Sequence, residues 1–190
     1  VVDPIVRSTY AARCCLVVSD VVEIGDDLFA VGTYDGVAGF TFPQTPGLYT
    51  SDSRGGSEGF IISFSRDLTT LRKATIIGGA GTDRLFAVAS VADTALVVVG
   101  STTSTDFPTT ETATQRTLGG GIDGTVTVLS ADLTRLLFSS YHGMTADEVC
   151  VSVTSASGSV VVVGSSRNFS FPVVGGQNRG AGGAADMGVA

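Results

Sequence analysis

The 190-residue chain has very little positive charge, no tryptophan and few aromatic residues of any kind. Lys73 is the one lysine among 11 basic residues, against 18 acidic residues, and the formal net charge is -7. Acidic surfaces repel phosphate backbones and anionic membranes, so nucleic acid is excluded as a partner. With 15% charged residues, the composition also excludes a charged coiled coil.

Long hydrophobic runs are missing as well. The longest, such as residues 95–99 and 160–163, reach about a quarter of the ~20 residues that cross a bilayer, so no membrane span is predicted. The sequence opens with Val1 rather than Met and has no basic segment followed by an apolar one. We therefore expect any targeting segment to have been removed or to lie outside this sequence.

Cysteine is scarce too. Cys14, Cys15 and Cys150 are an odd number without metal-ligand spacing or the density of a disulfide framework. We expect them to be small core residues rather than a redox or metal site, and no cofactor is predicted.

Apolar residues and glycine are abundant by contrast. The chain is 43% hydrophobic, has 25 glycines and has a mean hydropathy of +0.37, which excludes a disordered chain. Ser and Thr supply most of the remaining polar positions. This composition indicates an acidic β-protein with a surface rich in Ser, Thr and Gly.

Internal repeats dominate the sequence. A Phe-Pro pair recurs at Phe42, Phe107 and Phe171, at spacings of 65 and 64 residues, after apolar runs that end in glycine. Three landmarks with one period of about 64 predict three structural units, at residues 1–65, 66–130 and 131–190. The other two landmarks are an aspartate and a glycine, at Asp3, Asp67 and Asp132 and at Gly59, Gly124 and Gly188.

Each unit predicts four β-strands, because short β-branched runs are bounded by turn residues and no window has helical periodicity. In the second unit the predicted strands are 71–77, 85–91, 95–100 and 125–129. The 96–99 run does not alternate, so both of its faces should be covered. The predicted core residues are Val97, Val99, Val161 and Val163, with two-sided burial at Val98 and Val162 and with Phe60 and Phe64 between blades.

Stacked four-stranded antiparallel sheets meet this requirement for burial on both faces. The predicted fold is therefore all-β, with three β-propeller blades that form an arc or part of a larger propeller.

One stretch of the second unit also carries a family resemblance. The string VGSTTSTDFP at residues 99–108, followed by GGIDG at 120–124, LSADL at 129–133 and FSSY at 138–141, resembles the SBBP repeat of bacterial β-propellers. The segment IGGAGTD at 77–83 is similar to that family's glycine turn, whereas the other units have AAR at 11–13 and HGM at 142–144. The resemblance implies secreted or surface-exposed repeat proteins without a defined set of catalytic residues.

The number of units raises the question of what completes the propeller. Closed propellers have about 4 to 8 blades, so a three-blade arc would expose two apolar blade faces. The last unit stops at Ala190, inside a predicted strand, which suggests part of a longer or processed polypeptide. We expect the remaining blades to come from the same polypeptide, from a second copy that closes a six-bladed ring, or from other subunits of a larger assembly.

Two glycine-rich matches suggest ligand sites. Residues 78–86 fit one calcium repeat of a β-helix, which makes Asp83 a weak calcium candidate, but the next nine residues do not repeat it. We expect instead a turn in which glycines supply positive φ and Asp83 caps the backbone. Gly119-x-Gly121-x-x-Gly124 matches a dinucleotide fingerprint, but a strand rather than a helix should follow it.

A hydrolase site is the other chemical possibility, with the sole histidine, His142, beside Ser139 and Ser140 and with Asp147 downstream. Adjacent strand residues point to opposite faces and no nucleophile-elbow pattern is present, so we expect a turn histidine. Three further acidic features are expected to be structural: the pairs Asp26-Asp27 and Asp147-Glu148 as solvated turn charges, and Asp106 as an Asx-turn.

Asn168 begins the sequon Asn-Phe-Ser and is a possible glycosylation site if the chain passes through a eukaryotic secretory route. The equivalent loops at residues 33–35, 102–104 and 165–167 are mostly neutral, whereas catalytic propellers gather carboxylates, His or Arg there.

We therefore expect a non-catalytic structural or protein-interaction segment of a secreted or surface assembly. Two alternatives stay open: a carbohydrate-active or hydrolytic propeller completed by blades outside this chain, and a component of a large intracellular or organellar complex.

Overall fold

The computed structural model describes residues 15–36, 42–51, 55–156, 159–167 and 186–189. Within these ranges the protein is all-β and has no helix, as the sequence predicts. The strands are β1 (Leu16–Ile24), β2 (Asp27–Asp35), β3 (Ser57–Ser65), β4 (Leu71–Ile77), β5 (Asp83–Val91), β6 (Ala95–Thr102), β7 (Asp123–Ser130), β8 (Leu136–His142), β9 (Glu148–Ala156), β10 (Ser159–Ser166) and β11 (Asp186–Val189).

These strands form three antiparallel sheets, each built from strands that are consecutive in the chain. Sheet A has the order β1-β2-β3-β4, and sheet B has the order β5-β6-β7-β8. Sheet C contains β9, β10 and β11 in sequence order. Each sheet is therefore a simple meander, and the chain reaches the next sheet only after the last strand of the previous one.

The sheets are out of phase with the sequence units. β4 lies in the unit 66–130, where it is predicted as the first strand, yet it pairs with β3 and completes sheet A. The reason is that residues 66–70 form a tight turn, so β3 and β4 make a hairpin. The strand grouping predicted for the second unit is thus wrong by one strand, since a repeat period does not indicate which strand starts a sheet.

The aspartate landmark marks this hairpin turn. Asp67 Oδ1 accepts hydrogen bonds from Ser65 Oγ at 2.6 Å and from Thr69 N at 3.2 Å. Leu68 has a φ of 60°, and its N–H donates to Ser65 O. The β7–β8 turn repeats these contacts through Ser130, Asp132, Leu133 and Thr134. Asp3, the third landmark aspartate, lies outside the described residues.

The sheets stack face to face. β5 packs across β1, β2 and β3, and β9 packs across β5, β6 and β7, so the first strand of one sheet covers the first three strands of the preceding sheet. Apolar side chains fill both interfaces. The A–B interface includes Phe29, Val31, Leu85, Val88, Leu96 and Val98, and the B–C interface includes Ala87, Val99, Cys150 and Val162.

The continuous apolar run in β6 is buried on both faces, as predicted. Val97, Val98 and Val99 are each 0% exposed. Their counterparts in sheet C differ, because Val162 is buried against sheet B whereas Val161 and Val163 are only half-buried. The described residues place no further sheet on that outer face of sheet C, so the core prediction for Val161 and Val163 is correct only in part.

Phe60 and Phe64 are buried, but not between two described sheets. They alternate along β3 with Ile61, which faces sheet B, so they occupy the opposite face of sheet A. There Phe60 contacts Phe42, with ring centroids 6.0 Å apart. Within the described residues, the predicted position of these two phenylalanines between blades is therefore not observed.

The Phe-Pro landmark lies at the start of a loop that returns along the outer edge of its own sheet. In sheet A, Thr45 exchanges hydrogen bonds with the backbone of Ala74 on β4. In sheet B, Thr110 makes the same pair with Ser139 on β8. Both loops thereby satisfy part of the open edge of the fourth strand. Phe171 lies outside the described residues.

Candidate functional site at the sheet junctions

The chemical groups of the protein concentrate at the two points where the chain crosses between sheets. The A–B junction is residues 78–82, and the B–C junction is residues 143–147. Four carboxylates flank these segments and are almost completely buried, with exposed fractions of 1%, 1%, 0% and 0%. They are Glu58, Asp83, Asp123 and Glu148. Buried carboxylates are rare in proteins unless they are bonded, so the partners of each define what the junction does.

Asp83 starts β5 and holds the glycine turn that precedes it. Its Oδ2 accepts hydrogen bonds from Gly79 N at 2.8 Å and from Ser104 Oγ at 2.8 Å. The predicted capping role of Asp83 is therefore confirmed. Burial raises the pKa of Asp83 above its ordinary value, because loss of solvation outweighs the hydrogen bonds from Thr102, Gly79 and Ser104 that favour the charged form.

The loop at residues 103–106 binds the same turn from the other side. Thr103 Oγ1 accepts from Thr82 N, Ser104 Oγ accepts from Gly81 N, and Asp106 Oδ1 accepts from Ala80 N, each at 2.8 Å. Four successive N–H groups of the turn, residues 79–82, thus donate to side-chain oxygens. This loop is the Ser/Thr-rich part of the sequence motif, and it acts as a clasp on the junction.

Two expectations about this junction are wrong. Asp106 does not form a local Asx-turn, since its Oδ1 receives an N–H from 26 residues away. The glycines are not there for positive φ, because Gly25 and Gly47 are the two described glycines with that conformation. They are there for space: a Cβ on Gly81 would lie 2.5 Å from Thr103 Oγ1, and one on Gly79 would lie 2.8 Å from Ser104 Cβ.

Glu58 approaches the junction from sheet A. A Cβ on Gly78 would overlap Glu58 Oε2 and would lie 2.7 Å from Asp83 Oδ2. The carboxylates of β3 and β5 therefore flank one Cα, and only glycine fits between them.

The B–C junction repeats this arrangement 65 residues later. Glu148, the first residue of β9, accepts from Met144 N and Ser166 Oγ, each at 2.8 Å. Asp123 approaches from β7, and a Cβ on Gly143 would lie 2.7 Å from its Oδ1. Asp123 also accepts hydrogen bonds from Gln115 Nε2, Gly119 N and Gly120 N.

The glycine-rich segment at 119–124 therefore binds a carboxylate of its own chain. β7 begins at Asp123, so a strand follows the segment, as expected, and Gly124 lies inside that strand. A dinucleotide site needs a helix N-terminus at this place, and the described residues supply a strand.

A metal is not supported at Asp83. Asp83 Oδ2 accepts an N–H and an O–H, whereas Oδ1 is buried without a hydrogen-bond partner. The described residues contain no group of three or more His, Cys, Asp or Glu that could hold a metal ion. The geometry assigns Asp83 to the turn and provides no second ligand set for calcium.

The candidate Ser/His/Asp residues do not form a hydrolase site, because the serines and the aspartate have other partners. Ser139 Oγ lies 3.0 Å from Thr127 Oγ1, and Ser140 Oγ accepts from Gln115 N and contacts Thr114. His142 is the last residue of β8 and is 6% exposed rather than a turn residue. Asp147 is paired with Arg167 at 3.5 Å. Both serine hydroxyls therefore serve to fix neighbouring strands and loops.

The expectation of solvated charges is correct for the first residue of each acidic pair and wrong for the second. Asp27 is buried at the start of β2 and is paired with Lys73 at 2.6 Å and with Arg72. Burial raises its pKa, but hydrogen bonds and attraction from Lys73 and Arg72 lower it more, so the net pKa is lowered. Glu148 is likewise buried. In both pairs the second residue begins a strand and so enters the interior.

The cysteine prediction holds for Cys150, which is buried in the B–C interface. Burial raises the pKa of its thiol to about 12, so it is an unreactive core residue. Cys15 is half-buried, and Cys14 lies outside the described residues. Asn168 also lies outside them, so its glycosylation stays a prediction.

No protein-family model and no curated protein matches the chain. Within the described residues no helix is long and apolar enough to cross a membrane.

The sequence reasoning missed Glu58, Asp123, Ser104 and the structural role of Glu148. A signal was present, since acidic residues recur 65 apart at 58 and 123 and again at 83 and 148.

Proposed function

We propose that sheets A, B and C are consecutive blades of a β-propeller and that the chain is a non-catalytic structural or protein-interaction segment of it. The supporting observation for the architecture is that the first strands β1, β5 and β9 pack against one another in turn. No comparable packing joins the fourth strands of sheets A and B, which lie at the far edges. Sheets that converge at their first strands and diverge at their fourth strands are arranged radially.

The non-catalytic role is supported by how the chemical groups are used. All four buried carboxylates bind or flank the backbone of a junction, and the hydroxyls near them serve the same hydrogen bonds. Catalytic carboxylates need an open site that water and substrate can reach. The resemblance to the SBBP repeat supports a secreted or surface-associated assembly as the setting.

Spin labels test the radial arrangement. Val17 on β1 and Arg84 on β5 occupy corresponding exposed positions on the first strands, and Leu71 and Leu137 lie on the fourth strands. With Cys14 and Cys15 replaced by Ser and Cys150 left buried, label pairs report one distance for each location. We expect the first-strand pair to be clearly closer than the fourth-strand pair, and equal distances would contradict a propeller.

Enzyme assays test the non-catalytic role. The 190-residue chain should not turn over chromogenic glycosides or esters. Turnover that is lost in Asp83→Asn or Glu148→Gln without a loss of thermal stability would contradict the proposal and would favour the carbohydrate-active or hydrolytic alternative.

A further inference from the structure

Equivalent residues on the first strands differ sharply in exposure. The pairing registers place Val18, Leu85 and Cys150 opposite the glycine of the second strand in sheets A, B and C. Leu85 and Cys150 are 2% and 0% exposed because the preceding sheet covers them, whereas Val18 is 53% exposed. The neighbouring set behaves alike, since Val88 is 5% exposed and its counterpart Val21 is 62% exposed. The first-strand face of sheet A is therefore uncovered at the positions that sheets B and C bury.

The outer face of sheet C is also more exposed than the corresponding faces of sheets A and B. Val31 on β2 and Val99 on β6 are 0% exposed because the next sheet covers them. Their counterpart Val163 on β10 is half-buried, and so is Val161, which corresponds to Val97. This face therefore has the pattern that receives a following sheet at the other two interfaces.

The internal repeat specifies what fits each face. In both observed interfaces the first strand of one sheet lies across the first three strands of the preceding sheet. The face with Val18 and Val21 fits the outer side of a sheet such as C, and the face with Val161 and Val163 fits the first strand of a sheet such as A. One chain thus carries both halves of a third interface of the same kind, at opposite ends of its stack of sheets.

We propose that two copies of this chain associate through these faces, with β1 of each copy lying across β9 and β10 of the other. This inference rests on the proposed radial arrangement, because two copies can satisfy both faces only if the sheets turn about an axis. The contact is heterologous, so a pair of three-sheet copies closes when the rotation per sheet is one sixth of a turn. Burial of apolar side chains on both faces drives the association.

The polar contact of the A–B interface has no direct copy at this contact. In the A–B interface Asp20 Oδ2 accepts the N–H of Val88 on β5. The corresponding N–H of β1, that of Val21, already donates to Asp20 Oδ1, and Ser152 occupies the position on β9 that corresponds to Asp20. The match between the two faces is therefore an apolar one.

The test is the mass of the 190-residue chain in solution, measured by light scattering and sedimentation across a concentration series. The expected result is a two-copy particle that dissociates on dilution. Val21→Asp and Val163→Asp should each weaken association at least tenfold, since a charge at an apolar contact loses its solvation. Leu137→Asp, which changes an exposed apolar residue on the outer strand β8, is the matched control and should associate like the parent chain.

Mixing the two variants gives the decisive result. A Val21→Asp chain keeps an intact sheet C face and a Val163→Asp chain keeps an intact β1 face, so the mixture should form a one-to-one pair through a single contact. A symmetric contact that uses the same face twice would not be restored by mixing. If either variant fails to fold by circular dichroism, Val18→Asp replaces Val21→Asp, or Val161→Asp replaces Val163→Asp.

A parent chain that stays monomeric, or variants that associate as well as the parent, would overturn the proposal. Such a result would leave the propeller itself standing if the spin-label distances still show converging first strands. Equal label distances would instead remove the architecture on which the proposal rests.

Discussion

The A–B and B–C junctions have the same arrangement of two carboxylates around a glycine, but the positions of Asp and Glu are exchanged between them. At the first junction the longer residue, Glu58, comes from β3 and the shorter one, Asp83, starts β5. At the second junction the shorter residue, Asp123, comes from β7 and the longer one, Glu148, starts β9. Each junction contains one Asp and one Glu around a glycine. The comparison teaches that the repeat conserves the volume and the acceptors of the junction rather than the identity of either residue.

The central glycine should be the most sensitive position of both junctions. Gly78→Ala places a Cβ into Glu58 Oε2, and Gly143→Ala places one against the carboxyl group of Asp123. We expect each change to lower the free energy of unfolding by about 3 kcal/mol, as overpacking at a buried charged site does. Chemical denaturation measures this.

Gly36→Ala is the matched control, since its nearest atom would be 3.7 Å away. The control should change stability by less than about 0.5 kcal/mol. A junction variant as stable as this control would show that the carboxylates can move aside.

Exchanging the longer and shorter acidic side chains of the A–B junction tests the comparison directly. Glu58→Asp and Asp83→Glu should each destabilise the chain by about 1 to 3 kcal/mol, because one shortens an acceptor and the other overfills the site. The double variant reproduces the order of the B–C junction and should recover at least half of the summed loss. A double-mutant cycle measures this coupling, and strictly additive losses would show that the two carboxylates act independently.

Removing a serine that binds a junction carboxylate should have a smaller effect. Ser104→Ala loses a hydrogen bond to Asp83 and one from Gly81 N, and Ser166→Ala loses the hydrogen bond to Glu148. We expect a loss of about 2 kcal/mol for Ser104→Ala and of at least about 1 kcal/mol for Ser166→Ala, since each hydrogen bond contributes about 1 kcal/mol. Thr105→Ala, at an exposed loop position, should leave the melting temperature unchanged. A serine variant as stable as Thr105→Ala would show that the hydroxyl does not hold its carboxylate.

The pH dependence of stability should be the most modest signal. The pKa of Asp83 is raised in the folded state, so its carboxyl group binds a proton more tightly there than in the unfolded chain. Its contribution is therefore fully present below its ordinary pKa of 3.8 and is lost as the pH rises through the raised value. The parent chain should lose stability relative to Asp83→Asn over that interval. Urea denaturation at several pH values checks this, and a difference with the opposite sign would show that folding lowers the pKa of Asp83 instead.

The repeat made much of the fold predictable. The period located the turn at Asp67 and its copy at Asp132, and the non-alternating run at Val97 to Val99 correctly indicated burial on both faces. The phase of the repeat was not predictable, because a period does not indicate which strand starts a sheet. β4 pairs with β3 across the turn at Asp67 and belongs to a different sheet from β5. The junction carboxylates were partly predictable: Asp83 was assigned to the turn correctly, whereas Glu58 and Asp123 were missed.

By itself the sequence determined the all-β class, the repeat period, the local turns and the absence of a basic surface, since these depend on composition and on contacts between residues close in the chain. The tertiary structure alone decided to which sheet each strand belongs. It also decided that loop 103–106 binds a turn more than 20 residues earlier, and that two buried carboxylates lie on either side of one glycine. Those features depend on groups brought together from different sheets. Their cost of burial is offset only when the stacked sheets supply N–H and O–H donors at the right places.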